Sequence, residues 1–178
     1  MKCSTNSNNR SRPVAEANRS ETGRTTVQKA SDREVVVTRV FNAPARLVFA
    51  AWSKPDLFRK WWVPRSMGMT LRSCEMDVRT GGTYRLEFGD DPANTLAFFG
   101  TYLDVVPDQR IVWTNEESGE AGSVTTVTLV EQDGRTQLEL RERYPTKEAL
   151  DEAGTGAQDA LHETFAQLDE LLAALTAS

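Results

Sequence analysis

The sequence predicts an α+β domain in which a curved antiparallel sheet of about six or seven strands closes around one long C-terminal helix. Three observations carry this. Short β-branched and aromatic segments separated by turn residues fill residues 70–144. Leu161, Phe165, Leu168, Leu172 and Leu175 then recur at helical spacing, with Asp159, Glu163, Gln167 and Glu170 between them. Two short helical segments stand between the first strand and the meander.

The elements follow in chain order. Residues 1–32 contain no Leu, Ile, Phe, Tyr or Trp and are dense in Ser, Thr, Asn and Arg. A segment with so little apolar surface does not offset its ordering entropy, so a disordered polar tail is expected there, dispensable for stability, with the folded domain over 33–177. Glu34-Val35-Val36-Val37-Thr38-Arg39-Val40-Phe41 reads as the first strand. Asn42 is a candidate cap for a helix over 46–52, and a second helix over 56–62 ends at Pro64. Strands are predicted near 70–79, 83–88, 96–106, 110–115, 123–131 and 136–144. Between them lie the turns Gly81-Gly82, Asp90-Asp91-Pro92, Pro107-Asp108, Ser118-Gly119-Glu120 and Asp133-Gly134, the last a strong hairpin signal. One glycine of the first pair is expected at positive φ. Tyr84, Leu86 and Phe88 alternate with Arg85 and Glu87, and Leu138 and Leu140 with Gln137, Glu139 and Arg141. One face is therefore buried and the other wet. The terminal helix is expected to begin near Gly156.

Composition excludes several classes. A net charge of -5 argues against nucleic acid as the partner. The longest apolar run is far short of the roughly 18 residues of a membrane helix, so no membrane partner is expected. Cys3 and Cys74 are too few for a disulfide scaffold, which fits a reducing, cytoplasmic setting. The lone His162 has no second ligand at metal spacing and reads as a solvated surface residue, so no metal or other cofactor is expected. Asp77 and Arg79 read as a local pair beside the Gly81-Gly82 turn and not as a phosphate loop. Trp61 and Trp62 point about 100 degrees apart on a helix. One is expected in the core, the other at a helix end or the mouth of a cavity. Glu142 shares the parity of Leu138 and Leu140. It is expected to point inward, paired with an arginine such as Arg85 or holding the polar end of a ligand. No catalytic residues are legible from spacing.

Five segments in order resemble a known family. They include Arg39-Val40-Phe41-Asn42-Ala43-Pro44 with Val48-Phe49-Ala50-Ala51-Trp52, and Leu57-Phe58-Arg59-Lys60-Trp61-Trp62-Val63-Pro64. Then come Glu75-Met76-Asp77-Val78-Arg79-Thr80-Gly81-Gly82-Thr83-Tyr84-Arg85, Gly100-Thr101-Tyr102-Leu103-Asp104-Val105-Val106-Pro107, and Leu168-Asp169-Glu170-Leu171-Leu172. Together they resemble the bacterial homologues of the activator of the heat-shock-protein-ninety ATPase, members of the START-like, birch-pollen-allergen-like superfamily of helix-grip proteins.

The resemblance implies a non-enzymatic domain holding a small apolar or amphipathic molecule between the sheet and the terminal helix. The cavity-lining candidates it points to are Trp52, Trp61 and Met76 early in the chain, and Tyr84, Phe88, Phe98, Tyr102 and Trp113 in the first part of the meander. Leu129, Leu140 and Glu142 follow on the last two strands, with Phe165 and Leu168 on the helix. Phe98 and Phe99 are both apolar, so the parity of that strand stays open. Two alternatives remain. One is a cyclase- or dehydratase-like enzyme using Tyr84, Tyr102 and Glu142. The other is a protein-interaction module, either a co-chaperone or a homodimer through an exposed strand. Eukaryotic activators use an additional N-terminal domain to contact the chaperone, and only a polar tail stands there in this sequence, which argues against chaperone contact.

Overall fold

Alternating β-branched and aromatic residues set eight strands, among the described residues, into one antiparallel sheet. The structure is a computed structural model and describes residues 22–117 and 122–177. The strands are β1 Thr26–Lys29, β2 Glu34–Phe41, β3 Leu71–Met76, β4 Thr83–Phe88, β5 Leu96–Val106, β6 Arg110–Thr114, β7 Val124–Gln132 and β8 Arg135–Arg143. Their order across the sheet is β1-β2-β8-β7-β6-β5-β4-β3. The Asp133-Gly134 turn joins β7 to β8 as expected: both residues have positive φ, 54° and 74°, and Gln132 faces Arg135 across the two-residue loop. Gly81 takes the positive φ expected at its turn. The expected turn at Ser118-Gly119-Glu120 lies outside the described residues, as does Cys3.

The first helix, α1 (Ala45–Ser53), starts after Pro44 and buries Ala45, Val48, Ala51 and Trp52. Asn42 does not cap it. The Ala45 N–H instead donates to Glu131 Oε1 on β7 at 2.7 Å, an acceptor 86 residues away in sequence. Extended backbone at Lys54 ends α1, and Pro55 opens the one-turn α2 (Pro55–Phe58), shorter than the 56–62 expected. A 3₁₀ turn follows at Arg65–Met67.

The C-terminal region holds three helices where one was expected: α3 (Lys147–Ala153), α4 (Gly156–Asp159) and α5 (Leu161–Thr176). Thr146 caps α3, its Oγ1 accepting from Ala149 N at 3.1 Å. On α5, Leu161, Phe165, Leu168 and Leu172 are buried as the stripe predicts. No helix among the described residues is long and apolar enough to cross a membrane.

Polar anchors fix where α5 lies. Arg39 on β2 points inward like Val35, Val37 and Phe41 and is buried. Its guanidinium donates to Asp169 of α5 and to Thr25 Oγ1, and lies over the Phe41 ring at 5.5 Å. On the other flank, Gln167 Nε2 donates to the Trp61 and Val63 carbonyls at 2.9 and 2.8 Å. Its Oε1 accepts from Arg65 N at 2.9 Å. Glu163 accepts from Ser66 N at 2.9 Å, and Arg65 pairs with Glu170 at 2.8 Å. The segment after α2 is thus strapped along α5.

The expected tail is too long at its inner end. Residues 26–29 form β1, paired to β2 in the register Thr26↔Thr38 to Lys29↔Val35, and Thr22 bridges Val40. An edge strand is held by main-chain hydrogen bonds and needs no large side chains, which is why composition hid it. The expectation of disorder for residues 1–21 lies outside the described residues. Removing residues 1–30 should therefore lower the Tm by at least about 5 °C relative to removing only 1–21, because it strips the edge strand and a partner of buried Arg39. Thermal melts of the two truncations check this, and equal Tm values would mean that β1 contributes nothing.

Candidate functional site

The interior widens where β5 changes partners. Its first half pairs with β4, from Phe88↔Leu96 to Thr83↔Thr101, while Tyr102 pairs with Trp113 of β6 and the register shifts between Tyr102 and Asp104. Gly100 sits at the bend, where an added Cβ would lie 1.9 Å from the Thr114 carbonyl oxygen, so only glycine lets β5 pass the end of β6. Past the bend the chain after β6 still follows β5, the Glu116 N–H donating to the Phe99 carbonyl at 2.9 Å, and the curved sheet leaves room on its inner face.

Side chains do not fill the space this leaves. A smaller lobe of about 200 Å³ is walled by Trp52, Phe58 and Trp62 from the helical side. Met76, Tyr84, Leu86, Phe88, Phe98, Tyr102, Ile111, Trp113 and Asn115 complete it from β3 to β6 and the end of β6. A larger lobe of about 480 Å³ adjoins it through the shared residues Trp62, Phe88, Phe98, Trp113 and Asn115. The larger lobe reaches Thr125, Leu140 and Glu142 on β7 and β8 and runs under α4 and the start of α5. At its mouth Met67, Met69 and Leu96 are exposed.

Of the residues expected to line a cavity, Trp52, Met76, Tyr84, Phe88, Phe98, Tyr102 and Trp113 line the smaller lobe, and Leu140 and Glu142 the larger one. Four do not. Trp61, Leu129, Phe165 and Leu168 are buried in packed core. Trp61 donates its indole N–H to the Ala51 carbonyl at 3.0 Å, and its ring is wedged against Trp52 and Phe58. Phe165 meets Phe41 edge-on at 5.5 Å. Leu129 lies on β7, which α1 packs against. The wall residue of the tryptophan pair is Trp62, stacked on Phe58 at 4.8 Å. Phe98 faces inward, and Phe99 lies on the outer surface under Arg85 at 5.5 Å. His162 is exposed. Arg79 bonds Asp77 at 2.8 Å as read.

A polar chain crosses the floor where the lobes meet. Tyr84 Oη donates to the Thr114 carbonyl at 2.8 Å. Asn115 Nδ2 reaches Ser123 Oγ at 3.0 Å and Thr125 Oγ1 at 3.1 Å. Ser123 Oγ donates to Glu142 Oε1 at 2.8 Å. Gln158 Nε2 of α4 donates to Glu142 Oε2 at 2.5 Å and to Tyr144 Oη at 3.1 Å. Arg85, the arginine expected to pair with Glu142, lies on the opposite face and bonds Glu87 at 2.9 Å, and among the described residues no other arginine takes its place. Burial holds the Glu142 carboxyl above the usual range, against the lowering effect of its bonds from Ser123 and Gln158. Burial likewise pushes the Tyr84 and Tyr102 phenols up, so both stay neutral.

Among the described residues, two buried polar atoms bordering this space have no hydrogen-bond partner: Trp52 Nε1 at the smaller lobe and Gln158 Oε1 at the larger. Sequence reasoning missed Gln158, because the α4 turn carries no apolar period that would orient it. It also missed Ile111 and Asn115, although both share the parity of Trp113 on one line of the sheet. The arrangement can hold a molecule by apolar contact and a few hydrogen bonds. Among the described residues its wall carries no imidazole, thiol or lysine to act as nucleophile or base.

Comparison with known proteins follows the same geometry. Residues 42–173 match the family described as Activator of Hsp90 ATPase homolog 1-like protein. A crystal structure of a Rhodobacter sphaeroides protein is similar at 25% identity and a TM-score of 0.74, over 85% of this chain and 99% of that one. A Chromobacterium violaceum protein is 27% identical with a TM-score of 0.65, over 80% and 98%. A Nitrosomonas europaea protein, 22% identical with a TM-score of 0.72 over 84% and 100%, shares the fold. No curated protein matches the sequence.

The Glu142 carboxyl has a testable sign. A carboxyl whose value is raised on folding favours the folded state below the ordinary carboxylate range, and this contribution is lost as pH rises through its folded value. At neutral pH the charged group therefore costs stability. Glu142→Gln keeps an acceptor for Gln158 and removes the charge. It should raise the Tm by about 2 to 4 °C at pH 8, shrinking to nothing near about pH 4, the size of about 1 kcal/mol in a domain of this length. Melts across that range check it, and a gain independent of pH would contradict it.

Proposed function

The chain belongs to the Activator of Hsp90 ATPase homolog 1-like protein family, and from that premise we propose that it is a binding domain for one small amphipathic molecule. The apolar body occupies the aromatic lobe, and the polar end meets the floor at Glu142 and Gln158. One observation carries this reading. The space between sheet and helices is left open although aromatic side chains surround it, and buried polar atoms beside it lack partners. A folded interior is ordinarily filled to crystal-like density and its polar groups are satisfied. The larger lobe, about 480 Å³, falls within the roughly 300 to 1,000 Å³ of small-molecule sites. Met67, Met69 and Leu96 form a pliable apolar rim through which a ligand passes.

The test separates wall from core. Native mass spectrometry of the purified protein should show a co-purifying small molecule, or a naphthyl alcohol should bind with Kd below about 100 μM. Thr164 lines the larger lobe. Thr164→Phe should abolish binding and leave the Tm within about 2 °C, since it fills open space. Phe165→Ala, next to it but in packed core, should cost about 3 to 5 kcal/mol. If neither ligand nor probe is found and Thr164→Phe loses the stability of an overpacked core, the binding reading falls.

A further inference from the structure

Resting on that reading, we propose that the cavity selects an organic cation: an amphiphile with an aromatic-compatible body and a protonated amine head group that takes Glu142 as its counter-ion. The charges lining the space point this way. Among the described residues, the acidic side chains bordering the two lobes are Glu142 and Glu117, and no Lys, Arg or His borders either. Among the described residues Glu142 has no cation partner. It holds two neutral donors, Ser123 and Gln158, and each carboxylate oxygen keeps a free lone pair.

The unpartnered atoms agree with the charges. Gln158, 1% exposed, presents a buried acceptor, Oε1, with no donor. An ammonium brings several donors, enough for Glu142 and the Gln158 oxygen together, whereas a carboxylate brings none and would be placed against two glutamates. Aromatic faces complete the site. Trp62, Trp113, Phe88 and Phe98 border both lobes, and ring faces attract a desolvated cation. The unpartnered donor, Trp52 N–H, borders the smaller lobe, where it meets the ligand's body and not its head.

Three probes with one apolar body separate the possibilities: 2-naphthylmethylamine, 2-naphthalenemethanol and 2-naphthylacetate, titrated calorimetrically into the full chain at neutral pH. The amine should bind at least about tenfold more tightly than the alcohol, and the carboxylate at least about tenfold more weakly than the alcohol. Glu142→Gln should weaken the amine by at least about tenfold, change the alcohol by less than about threefold and strengthen the carboxylate. Glu117→Gln, at the exposed mouth, should change the amine by less than about threefold. If Glu142→Gln does not fold, the ranking on the unaltered chain decides alone. An alcohol that binds as tightly as the amine, or a carboxylate that binds best, overturns the head-group assignment and leaves the binding reading standing. If none of the three binds, both fail.

Discussion

A sheet curved around one helix offers more concave surface than the helix can cover, and the position of α5 decides which part stays uncovered. Phe165, Leu168 and Leu172 bury against the core, and the ion pair between Arg39 and Asp169 ties the helix to β2. A buried pair of this kind adds little net stability over apolar residues of the same volume, yet it strongly disfavours any arrangement that leaves one partner alone. Its effect here is to hold α5 over the β2 end of the sheet. Burial opposes the Asp169 charge and the Arg39 guanidinium favours it. Toward β3 to β6, the opposite half of the sheet, the inner face meets instead the rings of Trp52, Phe58 and Trp62.

That half is covered by rings. Trp52 on α1 lies within 6.4 Å, centroid to centroid, of Phe58, Trp61, Trp62, Trp113 and Phe165. Flat, rigid side chains meeting at steep angles give large contact area with few adjustable torsions, so they cannot fold into residual space as leucine or methionine would. The space beyond the rings has no side chain to occupy it. A helix position and an aromatic layer together produce the cavity.

Much of this was legible in the chain. Strands β4 and β5 fall on the residues that alternation picks out, the Asp133-Gly134 hairpin turns where expected, and the helical stripe is buried. What stayed hidden depends on partners far away in sequence. The cap of α1 comes from Glu131, and β1 is visible only through its ladder with β2. Periodicity reports which side chains point inward, but not whether a neighbour already fills the space in front of them. That is why Phe165, Leu168, Leu129 and Trp61 read as cavity wall yet lie in core, while Tyr84, Phe98 and Trp113, inward by the same rule, border open space. The inward parity of Glu142 was readable. Its partner was not, because Gln158 arrives on a one-turn helix with no pattern of its own.

The cost of Glu142 is what links fold to function in this half of the molecule. An interior carboxylate is tolerated when donors and charge compensate its lost hydration. Ser123 and Gln158 supply two donors, and the balance still leaves the protonated form favoured relative to a solvated glutamate. A glutamine at the same place would still accept from Gln158 and would turn its amide N–H to Ser123 Oγ without that penalty, so these hydrogen bonds alone give no reason for the charge. A cation entering the larger lobe would supply the missing compensation. It would also bridge β8 to α4 through Glu142 and Gln158, joining the floor of the sheet to the helices above it. Binding would then stabilise the domain by mass action where its own packing is least complete.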